Sequence, residues 1–390
     1  MAGFTSNDSL INAISSLGQY FSAPFSKQFN PTAAAVANEW HSFARGGGQP
    51  QADAIFDVGT NLQFQSVFDV TASAGCIQHG GDVDATNGAG FKTLLSAYGV
   101  TGAATVIPFT LQLIDILGFI RVTTVTTTTS QAVLRTDTFT ASSSSGLLLT
   151  YTSNWSPFQK VRFTNAGGAL PTGLSVGVDY WLVNVSPTTS HVATSYTNAK
   201  NNVVISFSDS GSGTNTLNCQ LPRYSTGAGV QCMFINPAAT AMGAGTPNLT
   251  LPSYTNSAGT AGRVTPASPS PPIGKTAATN SHILYSGATG AGKFGPSLPL
   301  QTADAGIQSI QNIQNSTSYV SGSYCVILYV PLAEIPLQVL GQATFMDYTQ
   351  AMFPSFPRIY DGAALYWIGK SGVATPANSQ IDGRLNFGWA

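Results

Sequence analysis

The segment Thr105-Val106-Ile107-Pro108-Phe109-Thr110-Leu111-Gln112-Leu113-Ile114-Asp115-Ile116-Leu117-Gly118-Phe119-Ile120-Arg121-Val122 is the most apolar stretch of the chain. Pro108, Gln112, Asp115 and Gly118 interrupt it, so it does not qualify as a membrane-spanning helix, which needs about 20 predominantly apolar residues. It reads instead as one or two buried strands. The same texture continues on both sides. Ile55-Phe56-Asp57-Val58 and Leu62 to Val70 alternate with period two, and Thr123 to Thr129 is a β-branched run that favours a strand. Further strands are expected over Gly229–Ile235, Thr317–Val330, Ala363–Ile368 and Leu385–Trp389.

Helical signals are few. Ser6 or Asn7 caps a short helix with Leu10, Ile11, Ile14 and Leu17 on one face. Asn30 as N-cap and Pro31 at N1 predict a second helix carrying Ala33, Val36, Trp40 and Phe43, stopped by Gly46-Gly47-Gly48. A short helical piece is expected around Ala343–Met352. The fold class is therefore mainly β: a β-sandwich-like core with short N-terminal helices and an inserted small β domain. The expected organisation is an N-terminal helical arm over 1–50, a β-rich core from 51–135 plus 223–390, and an inserted β module over 136–222.

Composition narrows the function. Only 8% of the 390 residues are charged, with 15 Lys+Arg against 16 Asp+Glu, where soluble domains carry about 25%. Net charge −1 supplies no phosphate-neutralising surface, so no direct sequence-specific nucleic-acid contact is expected. Phe (21), Tyr (14) and Trp (5) suffice for a real core, which excludes polar disorder. A neutral surface is poor at keeping free monomers apart, so the chain is expected to pack against copies of itself. The four cysteines, Cys76, Cys219, Cys232 and Cys325, form no C-x-x-C and read as buried free thiols, a Cys219–Cys232 bridge being the alternative. The first residues carry neither a basic nor an apolar block of the secretory type.

The module centre runs Val161-Arg162-Phe163-Thr164-Asn165-Ala166-Gly167-Gly168-Ala169-Leu170-Pro171-Thr172-Gly173-Leu174-Ser175-Val176-Gly177-Val178-Asp179-Tyr180-Trp181-Leu182-Val183-Asn184, and continues to Asp209-Ser210-Gly211-Ser212-Gly213-Thr214. Pro171-Thr172-Gly173 reads as a turn with positive φ at the glycine, Leu174 as a core plug, and Gly177 as the entry to the Tyr180 strand. Leu170, Pro171, Gly173, Leu174, Gly177 and Tyr180 resemble the LPxGLxxGxxY pattern of a small β module in tailed-bacteriophage virion proteins. That resemblance implies a virion location, with other virion proteins as partners.

Motifs of chemistry are weak. Gly287 to Phe294 fits G-x-x-x-x-G-K, but Phe294 stands where a P-loop needs Ser or Thr, and Gly295-Pro296 and Pro299 break the helix. His79 to Gly88 places oxygen ligands at alternating positions, Asp82 and Asp84 among them, as a calcium loop would, yet lacks its glycine and its final glutamate. His41, His191 and His282 come with no acidic partner or G-x-S-x-G serine in a triad pattern, so no triad is assigned. No catalytic, cofactor or metal residues are assigned, no cofactor is expected, and no membrane association is expected. The expected function is that of a non-enzymatic phage structural protein, a capsid shell or decoration component that self-assembles through β-rich interfaces. A tail tube, baseplate or receptor-binding component is one alternative. The other is a carbohydrate-binding or carbohydrate-active surface protein, in which an acid such as Asp115 would matter.

Overall fold

Burial alternates with period two in strands covered on one face, whereas Leu113–Ile120 and Tyr324–Val330 are buried on both faces. In Tyr20–Phe29, residues Ala23, Phe25, Lys27 and Phe29 point inward while Pro24 and Ser26 do not. The computed structural model describes residues 4, 6–29, 37–53, 55–57, 59–69, 75–80, 92–142, 148–236, 242–243, 248–266, 283–284, 295–349, 357–376 and 378–390. Strand makes up 47% and helix 5%, which places the chain among mainly β proteins. Helix α1 (Asn7–Ser15) precedes β1 (Tyr20–Phe29), β2 (Trp40–Ser42), β3 (Gly48–Gln49), β4 (Phe64–Ser66), β5 (Lys92–Val100) and β6 (Phe109–Val122). Then come β7 (Gln131–Ala132), β8 (Thr136–Ser142), β9 (Leu148–Tyr151), β10 (Lys160–Ala166), β11 (Asp179–Ser186), β12 (Thr189–Ala193), α2 (Tyr196–Lys200) and β13 (Thr214–Cys219). The last third holds β14 (Gln231–Ile235), β15 (Leu249–Asn256), β16 (Ile307–Asn315), β17 (Tyr324–Leu337), β18 (Thr344–Asp347), β19 (Leu365–Ser371) and β20 (Ser379–Trp389).

Two antiparallel sheets form the body. One has the order β18-β5-β20-β1-β3; the other has β14-β17-β6-β19-β2, with β4 also on β6. Between them lies an aromatic core in which Phe25 meets Trp367 at 4.9 Å and Phe29 meets Phe109 edge-on at 4.8 Å. The spine is the β6–β17 ladder, from Phe109 opposite Leu337 to Val122 opposite Tyr324. Ile114, Ile116 and Phe119 of β6 join a second core with Met233, Ile235 and Tyr366. A smaller sheet, β15-β16-β7, is pinned by Asp304, whose carboxylate accepts from Tyr254 Oη (2.6 Å), Asn256 Nδ2 (2.7 Å) and the Arg263 guanidinium. These donors, the Arg263 guanidinium first, hold its pKa down at about 2.

The six strands between Thr136 and Cys219 close into a barrel of order β10-β11-β12-β9-β8-β13. Its interior is continuous with the body. One buried cluster runs from Phe139, Trp155, Phe163 and Leu182 to Phe64, Leu117 and Ile120.

Five local expectations are corrected. Among the described residues of 1–50, helix is confined to Asn7–Ser15, capped by Ser6 and Ser9 in a reciprocal box. Its buried side is Ala13 with Leu10 and Ile14 packed around it, while Ile11 and Leu17 are exposed. Of the second helix, 30–36 lies outside the described residues, and Trp40 lies in β2 against β19. Phe43 donates its N–H to Trp367 O, so the aromatic spacing that mimics a helix serves a sheet edge instead. Ile55–Asp57 is a 3-10 turn rather than a strand. Thr123–Thr129 is a loop, because the Asn315 side chain takes up the Val125 and Thr127 carbonyls (both 3.2 Å) that a ladder would have used. Finally, Thr344–Asp347 pairs with β5 as a strand where a helical piece was expected.

All four cysteines are free and buried, and burial pushes the Cys76 thiol up to about 12. Lys27 is the unusual inward residue. Its Nζ donates to the carbonyls of Gly46 (2.6 Å), Pro50 (2.8 Å) and Gln51 (3.2 Å), and burial, partly opposed by the charge of Asp53, lowers its pKa from 10.5 to about 8. The folded chain thus gives up this proton earlier than the unfolded chain does. The cost of burying the cation is complete below about pH 8 and is relieved as pH rises towards about 10.5. Urea unfolding of wild type and Lys27→Met at about pH 7 and about pH 10 should show wild type gaining on the variant at the higher pH. A constant difference would contradict the lowered pKa.

Candidate functional site

The joint between barrel and body is organised around a gap in the body sheet. Along one edge of β6, β19 pairs with Phe109–Asp115 and β4 pairs with Gly118–Ile120, so two strands meet end to end. Across the other edge, Leu328 faces Gly118 and Tyr329 faces Ile116, leaving Leu117 as a bulge. Asp115 sits at this break, 1% exposed, between Leu113 of the sandwich core and Leu117 of the core shared with the barrel.

Arg223 fills the gap. It follows the last barrel strand directly after Leu221-Pro222, and it is 5% exposed. Its Nε donates to Asp115 Oδ2 (2.9 Å) and its Nη2 to Asp115 Oδ1 (2.6 Å) and Ile116 O (2.8 Å). Nη1 donates to Val67 O (3.1 Å) and Gly362 O (2.9 Å), so all five N–H groups of the fork are used. Asp115 Oδ1 also accepts the Ala364 N–H (3.0 Å). Burial pushes the Asp115 carboxyl upward, and the Arg223 charge and the Ala364 N–H act against it.

An aromatic contact locks the same joint. Tyr196, at the start of α2, stacks on Phe68 (4.7 Å) and donates its hydroxyl to Asp69 Oδ1 (2.7 Å), while the Arg223 guanidinium lies 5.5 Å from the Phe68 centroid. Gly362 has φ +72°, and a Cβ there would stand 2.6 Å from the Tyr196 ring, so only glycine fits. Nearby, the Ser66 N–H is shared between Ser156 Oγ (3.1 Å) and Gln159 Oε1 (3.0 Å) of the barrel.

Two clefts flank the joint. One, of about 620 Å³, lies between Ile55, Gln65 and Phe119 of the body and Asn154, Phe158 and Val185 of the barrel, and none of its described lining residues is titratable. The other, of about 500 Å³, lies between the barrel and the β15-β16-β7 sheet and is lined by Arg135, Arg162, Gln220, Gln308 and Gln311 among others. The first cleft offers neutral hydrogen bonding alone, and the second adds two guanidiniums, which donate hydrogen bonds but stay protonated.

The turn motif adopts the expected geometry. Gly173 has φ +106° and Gly177 φ +79°. The Leu174 N–H closes on Pro171 O (3.0 Å) and its side chain is buried in the shared cluster. Tyr180 Oη accepts the Ser175 N–H (2.9 Å). Asp209 clamps the turn by accepting from both the N–H and the hydroxyl of Thr172 and from the Gly211 N–H, and these hydrogen bonds lower its pKa.

Of the sequence candidates, Asp115 is buried against Arg223 and lines neither of the two clefts. Asp82, Asp84, His282 and the Gly287–Phe294 loop lie outside the described residues. His41 is buried beside Phe29 and His191 lies in β12, far apart in the topology. Among the described residues no group of three His, Cys, Asp or Glu side chains is arranged to hold a metal. Sequence reasoning missed Arg223; its signal is a lone cation directly after Leu221-Pro222 in a chain that uses charge sparingly.

One surface feature stands apart. Strand β18 is an edge of its sheet. It exposes Phe345 (65%), beside Val339 (53%) and Leu340 (46%), with Tyr98 5.3 Å from Phe345 on the neighbouring strand. No family model and no curated protein matches the chain.

Removing one partner of the buried pair leaves an unpaired charge. Arg223→Met should therefore lower stability by roughly 3–5 kcal/mol, and Asp115→Leu combined with Arg223→Met should recover much of it, as read by urea unfolding. A loss below about 1 kcal/mol for the single variant would equate the pair with a surface ion pair.

Proposed function

We propose that the chain is a non-enzymatic structural protein of a tailed-phage virion, a shell or decoration component that associates with itself through neutral β-rich surfaces. The observation that carries this reading is the Leu170–Tyr180 motif, seated as a clamped turn in a closed barrel that interrupts a two-sheet body. A closed barrel presents no free strand edge, so pairing between copies falls to the body, where β18 ends a sheet with an exposed aromatic residue and no lysine or proline of its own. Low net charge removes the repulsion that would oppose such contacts. The ionisable clusters at the joint are buried and mutually hydrogen-bonded, which suits a scaffold.

Sedimentation of the purified chain should show mass rising with concentration. Phe345→Lys should weaken that association by about tenfold or more, equivalent to about 1.4 kcal/mol. Mass spectrometry of purified phage particles should find the chain in many copies. A chain that stays monomeric at high concentration and is absent from particles would end this reading.

A further inference from the structure

A second buried cluster adjoins the joint through 361–364 and lines neither of the two clefts. Lys92, the first residue of β5, and Asp361 are 269 positions apart in the chain, with side chains 0% and 4% exposed and Nζ 3.0 Å from Oδ1. Their approach is set by backbone. The Ile359 N–H donates to Lys92 O (2.9 Å) and the Leu94 N–H to Pro357 O (2.9 Å), so 357–359 runs antiparallel beside β5 and delivers Asp361 to the lysine. His79, 3% exposed, completes the cluster. Its Nε2 lies 3.0 Å from Ala363 O, and its Nδ1 lies 3.1 Å from Lys92 Nζ. A carbonyl can only accept, so Nε2 carries the proton and Nδ1 offers its lone pair to the lysine. Lys92 Nζ also donates to Gly80 O (2.7 Å).

We propose that Lys92 and Asp361 condense in the folded chain into an intramolecular isopeptide bond, with His79 as the proton acceptor. Among the ion pairs of the described residues, the chemistry singles out this one. Arg223 cannot act as an amine nucleophile, because a guanidinium stays protonated. Lys160 is divided from its partner's full attention, since Asp179 is 25% exposed and shared with Arg162. Lys92 alone is enclosed with one carboxyl group and a touching base.

The steps balance without an oxidant or co-reactant. A proton passes from the Lys92 ammonium to the Asp361 carboxylate across their contact, leaving a neutral amine beside a carboxylic acid. The Nζ lone pair attacks Cγ and an N–C bond forms. His79 Nδ1 takes the proton that the nitrogen sheds and returns it to the departing hydroxyl, which leaves as water when the C–O bond breaks. Nζ rests 3.0 Å from Oδ1, so the attack needs only a small turn of Nζ from that oxygen towards the Cγ that carries it. The bond would close a very long loop, and cross-links of long loops restrict the unfolded chain most. It is a property of the folded chain and does not depend on the assembly reading.

The test is mass spectrometry of the full-length wild-type chain, denatured and reduced. A mass one water below that of the linear chain is expected, with a digest fragment joining the peptides of Lys92 and Asp361. Lys92→Arg, which keeps the ion pair but cannot condense, should show the linear mass. His79→Phe should form the bond roughly a hundredfold more slowly. A linear mass for folded wild type after prolonged incubation would overturn the proposal and leave an ion pair only, as would a linked fragment joining other residues. An unchanged rate in His79→Phe would remove the histidine from the reaction.

Discussion

Two strands cannot abut on one edge of a third without stranding backbone carbonyls, and the body meets that constraint with a single guanidinium. Arg223 hydrogen-bonds the Val67, Ile116 and Gly362 carbonyls where β4 and β19 meet, and Asp115 holds it there. Because Arg223 directly follows the barrel, the same contact sets where the barrel leaves the body. Tyr196 on Phe68 fixes the orientation from the other side. Sheet continuity, barrel placement and the division between two hydrophobic cores thus meet at one buried pair. Such a pair contributes more to specificity of arrangement than to net stability, since its desolvation offsets much of its attraction.

Seen this way, the scarcity of charge is also a matter of placement. Asp115 with Arg223, Lys92 with Asp361, Lys27 under three carbonyls and Asp304 under Arg263 are all interior or largely covered, and each fastens segments distant in sequence. The exposed charges that remain, such as Lys200, Asp209, Glu334, Asp382 and Arg384, are scattered among threonine, serine, asparagine and isolated apolar residues.

The class of fold was legible because Phe109–Val122 is a short apolar run, the pattern of a central strand, and Leu113–Ile120 is buried on both faces. The Leu170–Tyr180 turn was legible for a similar reason: its glycines need positive φ whatever surrounds them. Other features were not local. Trp40 and Phe43 sit at helical spacing, yet the partner that makes Trp40 a strand residue is β19, more than three hundred positions away. The threonine run has high strand propensity, but Asn315 satisfies its carbonyls from another strand. The Arg223–Asp115 and Lys92–Asp361 contacts likewise join residues that no short window contains, and only the register of paired strands brings them together.

Strand β1 runs antiparallel to β20 over its whole length, from Tyr20 opposite Gly388 to Phe29 opposite Ser379. The start of one strand therefore lies beside the end of the other. Tension applied through these two positions would open the ladder like a zipper, one hydrogen-bonded pair at a time, instead of shearing all pairs together. Load entering at Tyr20 and Gly388 would be yielded early, whereas load entering through the faces and edges of the sheets would meet the whole sandwich at once.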